Sequence, residues 1–167
     1  MQIFVDADSC PRSAREMILR FSSRLGIKSV FAANHPIPEL KSSRLESPPL
    51  ESSKLQTASL ELCPPGEGEA DRRIIELAKS GDLVITRDLP LAEQLVDSGI
   101  TVIDDRGRAF TKENIREYRS LRDFTVGLAD NGLDFERTPS YGKKELTSLA
   151  NSLDRELSRL SRVAVGI

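Results

Sequence analysis

Four aspartates stand where carboxylates can do chemistry: Asp6 and Asp8 in Val5-Asp6-Ala7-Asp8, Asp71 in Ala70-Asp71, and Asp88 in Thr86-Arg87-Asp88. If the backbone stays extended after Asp6, residues two apart put both carboxylates on one side, where two oxygens can share a cation. Gathered without a counter-ion the four would repel and push pKa values up, a penalty that Mg²⁺ or Mn²⁺ removes. Such an ion lowers the pKa of a bound water and stabilises charge building on a phosphodiester, so the set points to metal-dependent hydrolysis. Taken singly, each aspartate has a plainer reading as a helix cap or a first-turn acid. Only their joint placement argues for a site. Asp82 differs because it precedes its strand, which assigns it to a turn at the opposite sheet edge.

Other catalytic chemistry is thin. One histidine, His35, and two cysteines, Cys10 and Cys63, leave little for a zinc site, a disulfide framework or a Ser-His-Asp triad. Cys10 has no base placed to activate it and reads as a small packing residue.

The elements that must position the aspartates follow from the apolar pattern. Ile3-Phe4-Val5 is a short apolar run ending at Asp6, as in a buried parallel strand. Pro11 then opens a helix carrying Ala14, Met17, Ile18, Phe21 and Leu25, stopped by Gly26, and Ser29 to Ala33 forms a second strand. Strands follow at Ala58 to Leu62, Leu83 to Thr86 and Ile100 to Ile103. Helices carry Asp71 in a first turn, follow Asp88, and run from a Thr111 cap to about Gly127. Residues 34–56, rich in Pro, Ser, Lys and Glu, read as a mobile loop. A last amphipathic helix over about 142–161 carries Leu146, Leu149, Ala150, Leu153, Leu157 and Leu160; closing the core is its first reading and a homodimer its second. Alternating strands and helices predict an α/β fold with a mostly parallel sheet covered on both faces, whose ligands sit outside the strand carboxyl ends.

The chain's 167 residues suit one domain, and 38% hydrophobic with 30% charged residues excludes disordered and membrane classes. No run approaches the ~20 apolar residues of a membrane span and no signal peptide opens the chain, so the cytoplasm is expected. The formal net charge of −2 argues against indiscriminate coating of nucleic acid, yet six basic residues stand against two acidic ones between Arg106 and Arg122. Lys112, Arg116 and Arg119, at spacings of four and three, share a helix face that can grip a phosphate backbone. Arg87 and Arg106 add cations near the strand ends. Tyr118 is the only aromatic in that stripe, which predicts weak base preference.

Val5-Asp6-Ala7-Asp8-Ser9-Cys10-Pro11, Ala70-Asp71 and Gly81-Asp82-Leu83-Val84-Ile85-Thr86-Arg87-Asp88-Leu89-Pro90-Leu91-Ala92 together resemble the bacterial YaiI/YqxD family, which looks like a branch of the PIN-like nuclease superfamily. The resemblance covers residues 1 to about 125 and is most specific over 81–92. It implies a three-layer α/β/α sandwich with Asp6, Asp8, Asp71 and Asp88 at the acidic positions that bind magnesium or manganese in PIN-like nucleases. The expected substrate is nucleic acid, RNA ahead of DNA. The chain departs from the family pattern in its Ser/Pro-rich segment and in Arg87, where a small residue is usual. Two alternatives remain at this stage. A haloacid-dehalogenase-like phosphatase would use Asp6 as nucleophile and Asp8 as acid/base, with Asp104-Asp105 as a late acidic pair. A non-catalytic nucleic-acid-binding module would use the basic helix alone.

Overall fold

The computed structural model describes residues 1–38, 40, 57–130 and 140–166. Among these, six strands form one sheet: β1 (Ile3–Asp6), β2 (Ser29–Ala33), β3 (Ala58–Leu62), β4 (Leu83–Ile85), β5 (Thr101–Ile103) and β6 (Ala109–Phe110). Five helices join them: α1 (Arg12–Leu25), α2 (Glu69–Leu77), α3 (Leu89–Asp97), α4 (Ile115–Asp130) and α5 (Lys143–Val165). The strand order is β3-β2-β1-β4-β5-β6, and every neighbouring pair is parallel except β5 with β6.

Side chains alternate across the sheet with the strand period, and that alternation builds three layers. Ile3 and Val5 point to one core, where α1 contributes Ala14, Ile18 and Phe21 and α5 contributes Leu149, Leu153 and Leu157. Phe4 between them points to the other core, with Ile74 of α2, Leu91 and Leu95 of α3, and Ile115 of α4. Central strands covered on both faces must be apolar throughout, which is why Ile3-Phe4-Val5 and Leu83-Val84-Ile85 carry no polar alternation. The leucines of α5 thus close the chain's own core, each burial contributing about 2 kcal/mol, while Leu146 and Ala150 at the edge of the stripe are half-buried.

β1 sits at the centre of the sheet and the chain leaves it to opposite sides, toward β2 and toward β4. That topological switch opens a crevice at the carboxyl ends of β1 and β4. The amino ends are tied instead. Asp82 is buried there and accepts the Gln2 N–H on Oδ1 at 2.7 Å and the Lys79 N–H on Oδ2 at 3.0 Å, as its position before β4 predicts.

The structure departs from the sequence expectation at several elements. Strand β6 has two residues, too few to show a period. Thr111 and Asn114 bond each other, N–H to side-chain oxygen both ways at 2.8 and 3.3 Å, as in a capping box, and a turn over 112–114 leads into helix α4 at Ile115. Lys112 lies in that turn and not on the helix. Helix α5 runs on to Val165. Of the segment expected to be a loop, residues 39 and 41–56 lie outside the described residues, while Ile37 and Leu40 are buried in the core. Among the described residues no helix is long and apolar enough to cross a membrane.

Candidate functional site

The crevice at the switch point is a cleft of about 450 Å³, and Asp6, Asp8, Asp71 and Asp88 all line it. They arrive from three places. Asp6 ends β1, Asp8 sits on the turn that follows, Asp71 lies in the first turn of α2, and Asp88 caps α3, its Oδ1 accepting the Leu91 N–H at 2.7 Å.

Asp6 is 5% exposed and needs partners for its charge. Its Oδ2 accepts the Ser9 hydroxyl at 2.6 Å and the Thr86 hydroxyl at 3.0 Å. Thr86 Oγ1 in turn accepts the Asp88 N–H at 3.0 Å. One threonine at the end of β4 therefore fixes both Asp6 and the backbone that carries Asp88. The backbone does not stay extended past Asp6, so Asp8 is not stacked beside it. Asp8 turns toward the end of β2, where Oδ2 accepts the Asn34 N–H and Oδ1 lies against His35 Nδ1, both at 2.9 Å.

Asp71 has no hydrogen bond or ion pair among the described residues. Burial, then the charges of Asp6, Asp88 and Asp8, push its carboxyl up from 3.8 to about 6. Asp6 Oδ1 and Asp88 Oδ2 likewise carry no hydrogen bond there. Yet no three His, Cys, Asp or Glu side chains among the described residues converge closely enough to hold a metal ion by themselves.

The basic residues divide. Arg87 lines the cleft, but its Nε donates to Asp105 at 2.6 Å. Arg106 lies 3.6 Å from Glu145 and over the Tyr141 ring. Arg119 is ion-paired with Glu93 of α3, Arg116 is exposed on α4, and Lys112 is off the helix, so the expected stripe along one face does not form. Arg122, counted in the basic stretch but not singled out by it, lines the cleft and has no ion pair among the described residues. Cys10 is buried as expected; burial and then Asp105 push its thiol up to about 12. Asp104 and Asp105 follow β5, one strand removed from β1. Asp104 Oδ1 holds the turn by accepting the Arg106 and Arg108 N–H groups at 3.0 and 2.7 Å.

Sequence reasoning missed Ser9, Thr86, Asn34, His35 and Arg122. Thr86, two residues before Asp88, had the local signal of a hydroxyl poised to accept a nearby N–H. The others depend on which strand ends meet.

Fold and cleft together define an α/β protein with a carboxylate-lined crevice at the carboxyl ends of a mostly parallel sheet. Within that class the chain belongs to the YaiI/YqxD family of uncharacterised bacterial proteins, whose family model, described as "Uncharacterized BCR, YaiI/YqxD family", matches residues 4–159. It is similar to the UPF0178 protein of Treponema denticola, 43% identical over 95% of this chain and 93% of that one. The UPF0178 proteins of Treponema pallidum, 41% identical over 98% of this chain and 85% of that one, and Myxococcus xanthus, 38% identical over 96% of each, are similar along their lengths too. No solved structure matches the chain.

Proposed function

We propose that the chain is a metal-dependent hydrolase of phosphodiester bonds in nucleic acid, RNA ahead of DNA, using Mg²⁺ or Mn²⁺ at the acidic cleft. The observation that carries this reading is the convergence of Asp6, Asp8, Asp71 and Asp88 on one cleft, where burial and then the other three push the Asp71 carboxyl up to about 6. Four carboxylates crowd one crevice beside Arg122 and an Arg87 already held by Asp105, and a bound cation would relieve the remaining repulsion.

The donors suit such an ion in kind, since all are carboxylate oxygens and Mg²⁺ and Mn²⁺ prefer oxygen. Since no three such side chains converge among the described residues, an ion here would take one or two carboxylates and complete its shell with water and substrate phosphate, a mode open to Mg²⁺. Asp6 and Asp88, linked through Thr86, would hold the ion with their unbonded oxygens, and Asp71 faces them. When bound, the ion would lower the pKa of a coordinated water and stabilise charge on the phosphoryl oxygens. Asp71, which has no hydrogen bond or ion pair among the described residues, would be free to accept a proton from a water in the cleft. Asp8, engaged by Asn34 and His35, orients that wall of the cleft. Arg122 meets the phosphate charge, while Arg87 is a fixed cation held by Asp105.

Calorimetric titration of Mn²⁺ and Mg²⁺ into EDTA-stripped protein, beside an Asp6→Asn/Asp88→Asn variant, tests the site. A cleavage screen over labelled RNA and DNA tests the reaction. Saturable binding and EDTA-sensitive cleavage, both lost in the variant, are expected. Oligonucleotide binding that survives EDTA and the variant, with no cleavage under either metal, would replace this reading with the non-catalytic module.

A further inference from the structure

Beside the acidic cleft lies a larger hollow of about 680 Å³, between the β5–β6 turn and α4. Its volume is that of a ligand pocket. Four guanidinium groups border it, those of Arg87, Arg106, Arg108 and Arg122, against two carboxylates, Asp104 and Asp105. Asp104 accepts the backbone N–H groups of its own turn and lies 3.7 Å from Arg108, and Asp105 Oδ1 accepts from Arg87. The field at the mouth is therefore set by Arg122 and the outer faces of the other arginines.

The opposite wall is apolar. Tyr118 meets Phe110 edge-on at 5.9 Å, and the Arg108 guanidinium lies 4.7 Å from the Tyr118 ring centre. Leu121 is 61% exposed on the same wall, an apolar side chain that nothing among the described residues covers. Deeper in, Asp105 Oδ2 is buried without a hydrogen-bond partner. A ligand that uses all of this carries a flat, partly apolar ring with donor groups and an anionic group a few ångströms away. A bare phosphate leaves the apolar wall idle, and an apolar peptide leaves the guanidinium groups idle.

Continuity fixes the direction. Arg87 and Arg122 line both hollows, so an anion between them stands at the threshold of the acidic cleft. The geometry points to this groove as a nucleotide subsite for a single-stranded nucleic acid: a base lies against Tyr118 and Leu121, and its phosphate sits between Arg122 and Arg87. The assignment of the adjoining phosphodiester to the acidic cleft rests on the function proposed above; occupancy of the groove needs no metal. The strand path thus runs through the groove and not along the outer face of α4, where Arg119 is tied to Glu93.

The test is fluorescence anisotropy in EDTA, using a short labelled oligouridylate and a matching abasic sugar–phosphate oligomer. Arg122→Glu should weaken oligouridylate binding about tenfold and flatten the salt dependence by about one ion. Leu121→Glu should weaken it while leaving thermal stability unchanged, because the side chain is exposed. The abasic oligomer should bind wild type about fivefold or more weakly, reporting the lost base contact. Arg20→Glu, an equal charge change at an exposed position of α1, controls for overall charge. Equal losses from Arg116→Glu and Arg122→Glu would place the strand on the helix face and overturn the subsite. Equal affinity for the abasic oligomer, or no binding at low salt, would overturn it as well. Since EDTA is present throughout, these outcomes report on the groove, and the metal titration reports separately on the cleft.

Discussion

The Asp71 carboxyl holds its proton above the usual carboxylate range because burial and then Asp6, Asp88 and Asp8 disfavour its charged form. A group whose pKa is raised in the fold contributes stability that is complete below its unfolded value and lost as pH climbs through the folded one. In metal-free protein the loss attributable to Asp71 therefore falls between 3.8 and about 6. Asp71→Asn should remove that slope. Near neutral pH it should stabilise the EDTA-treated protein by about 1 kcal/mol, once the shift is discounted for solvent screening at a half-buried side chain. Urea unfolding of both proteins across that window checks it; a variant less stable than wild type throughout would show that the carboxylate is not repelled. The aspartates were legible from sequence because each sits at a strand end or helix start, where short polar side chains are easy to place. Their partners were not. Whether Asp8 meets His35, or Asp6 meets Thr86, is decided by the approach of β2 and β4 to β1, which no local spacing encodes.

At the scale of elements, the β5–β6 turn brings Asp104, Asp105, Arg106 and Arg108 to the groove, and its attachment to α5 decides whether they stay there. Gly107 makes that attachment. Its φ is +80°, and an added Cβ would stand 2.7 Å from the Ser148 carbonyl carbon and 2.9 Å from the Leu149 nitrogen, both backbone atoms of a helix that cannot give way. The Ser152 hydroxyl donates to the Gly107 carbonyl and completes the joint. Gly107→Ala should cost about 2–3 kcal/mol through left-handed strain and this clash. Gly127→Ala, in α4 with nothing within 4 Å of the added carbon, should instead gain about 0.5–1 kcal/mol from helix propensity. Thermal melts of the two variants, with opposite signs expected, separate a close approach from a helical glycine; like signs would refute the joint. The major strands and helices were legible because buried parallel strands are short apolar runs and their helices carry clear apolar faces. Thr111 exchanges the bonds of a cap with Asn114, as its residue type suggests, yet the regular helix begins only at Ile115, a delay that no local spacing encodes.

Across the whole molecule the two ends of the sheet do different work: at the carboxyl ends of β1 and β4, Asp6 and Asp88 line the cleft, while Asp82 at the amino end ties the fold. Asp6 and Asp82 are both buried and both touch β1 or the residue preceding it, yet their surroundings are opposite. Asp82 accepts two backbone N–H groups, from Gln2 and Lys79, and so joins the start of β1 to the turn between α2 and β4. Asp6 stands among like charges and is steadied by two hydroxyls that can donate equally well to an amide oxygen. Asp82→Ala should therefore cost about 2–3 kcal/mol by leaving two donors unpaired, while the folded protein titrates Mn²⁺ as wild type does. Asp6→Asn should keep or raise the stability of the metal-free protein, by relieving repulsion, and abolish the Mn²⁺ signal. Urea unfolding and calorimetry on the same two preparations give four readings. Metal binding lost in Asp82→Ala, or stability lost in Asp6→Asn, would mean that the cleft and the sheet's amino edge are not independent, and that the carboxylate crowding at the switch point serves the fold instead of a ligand.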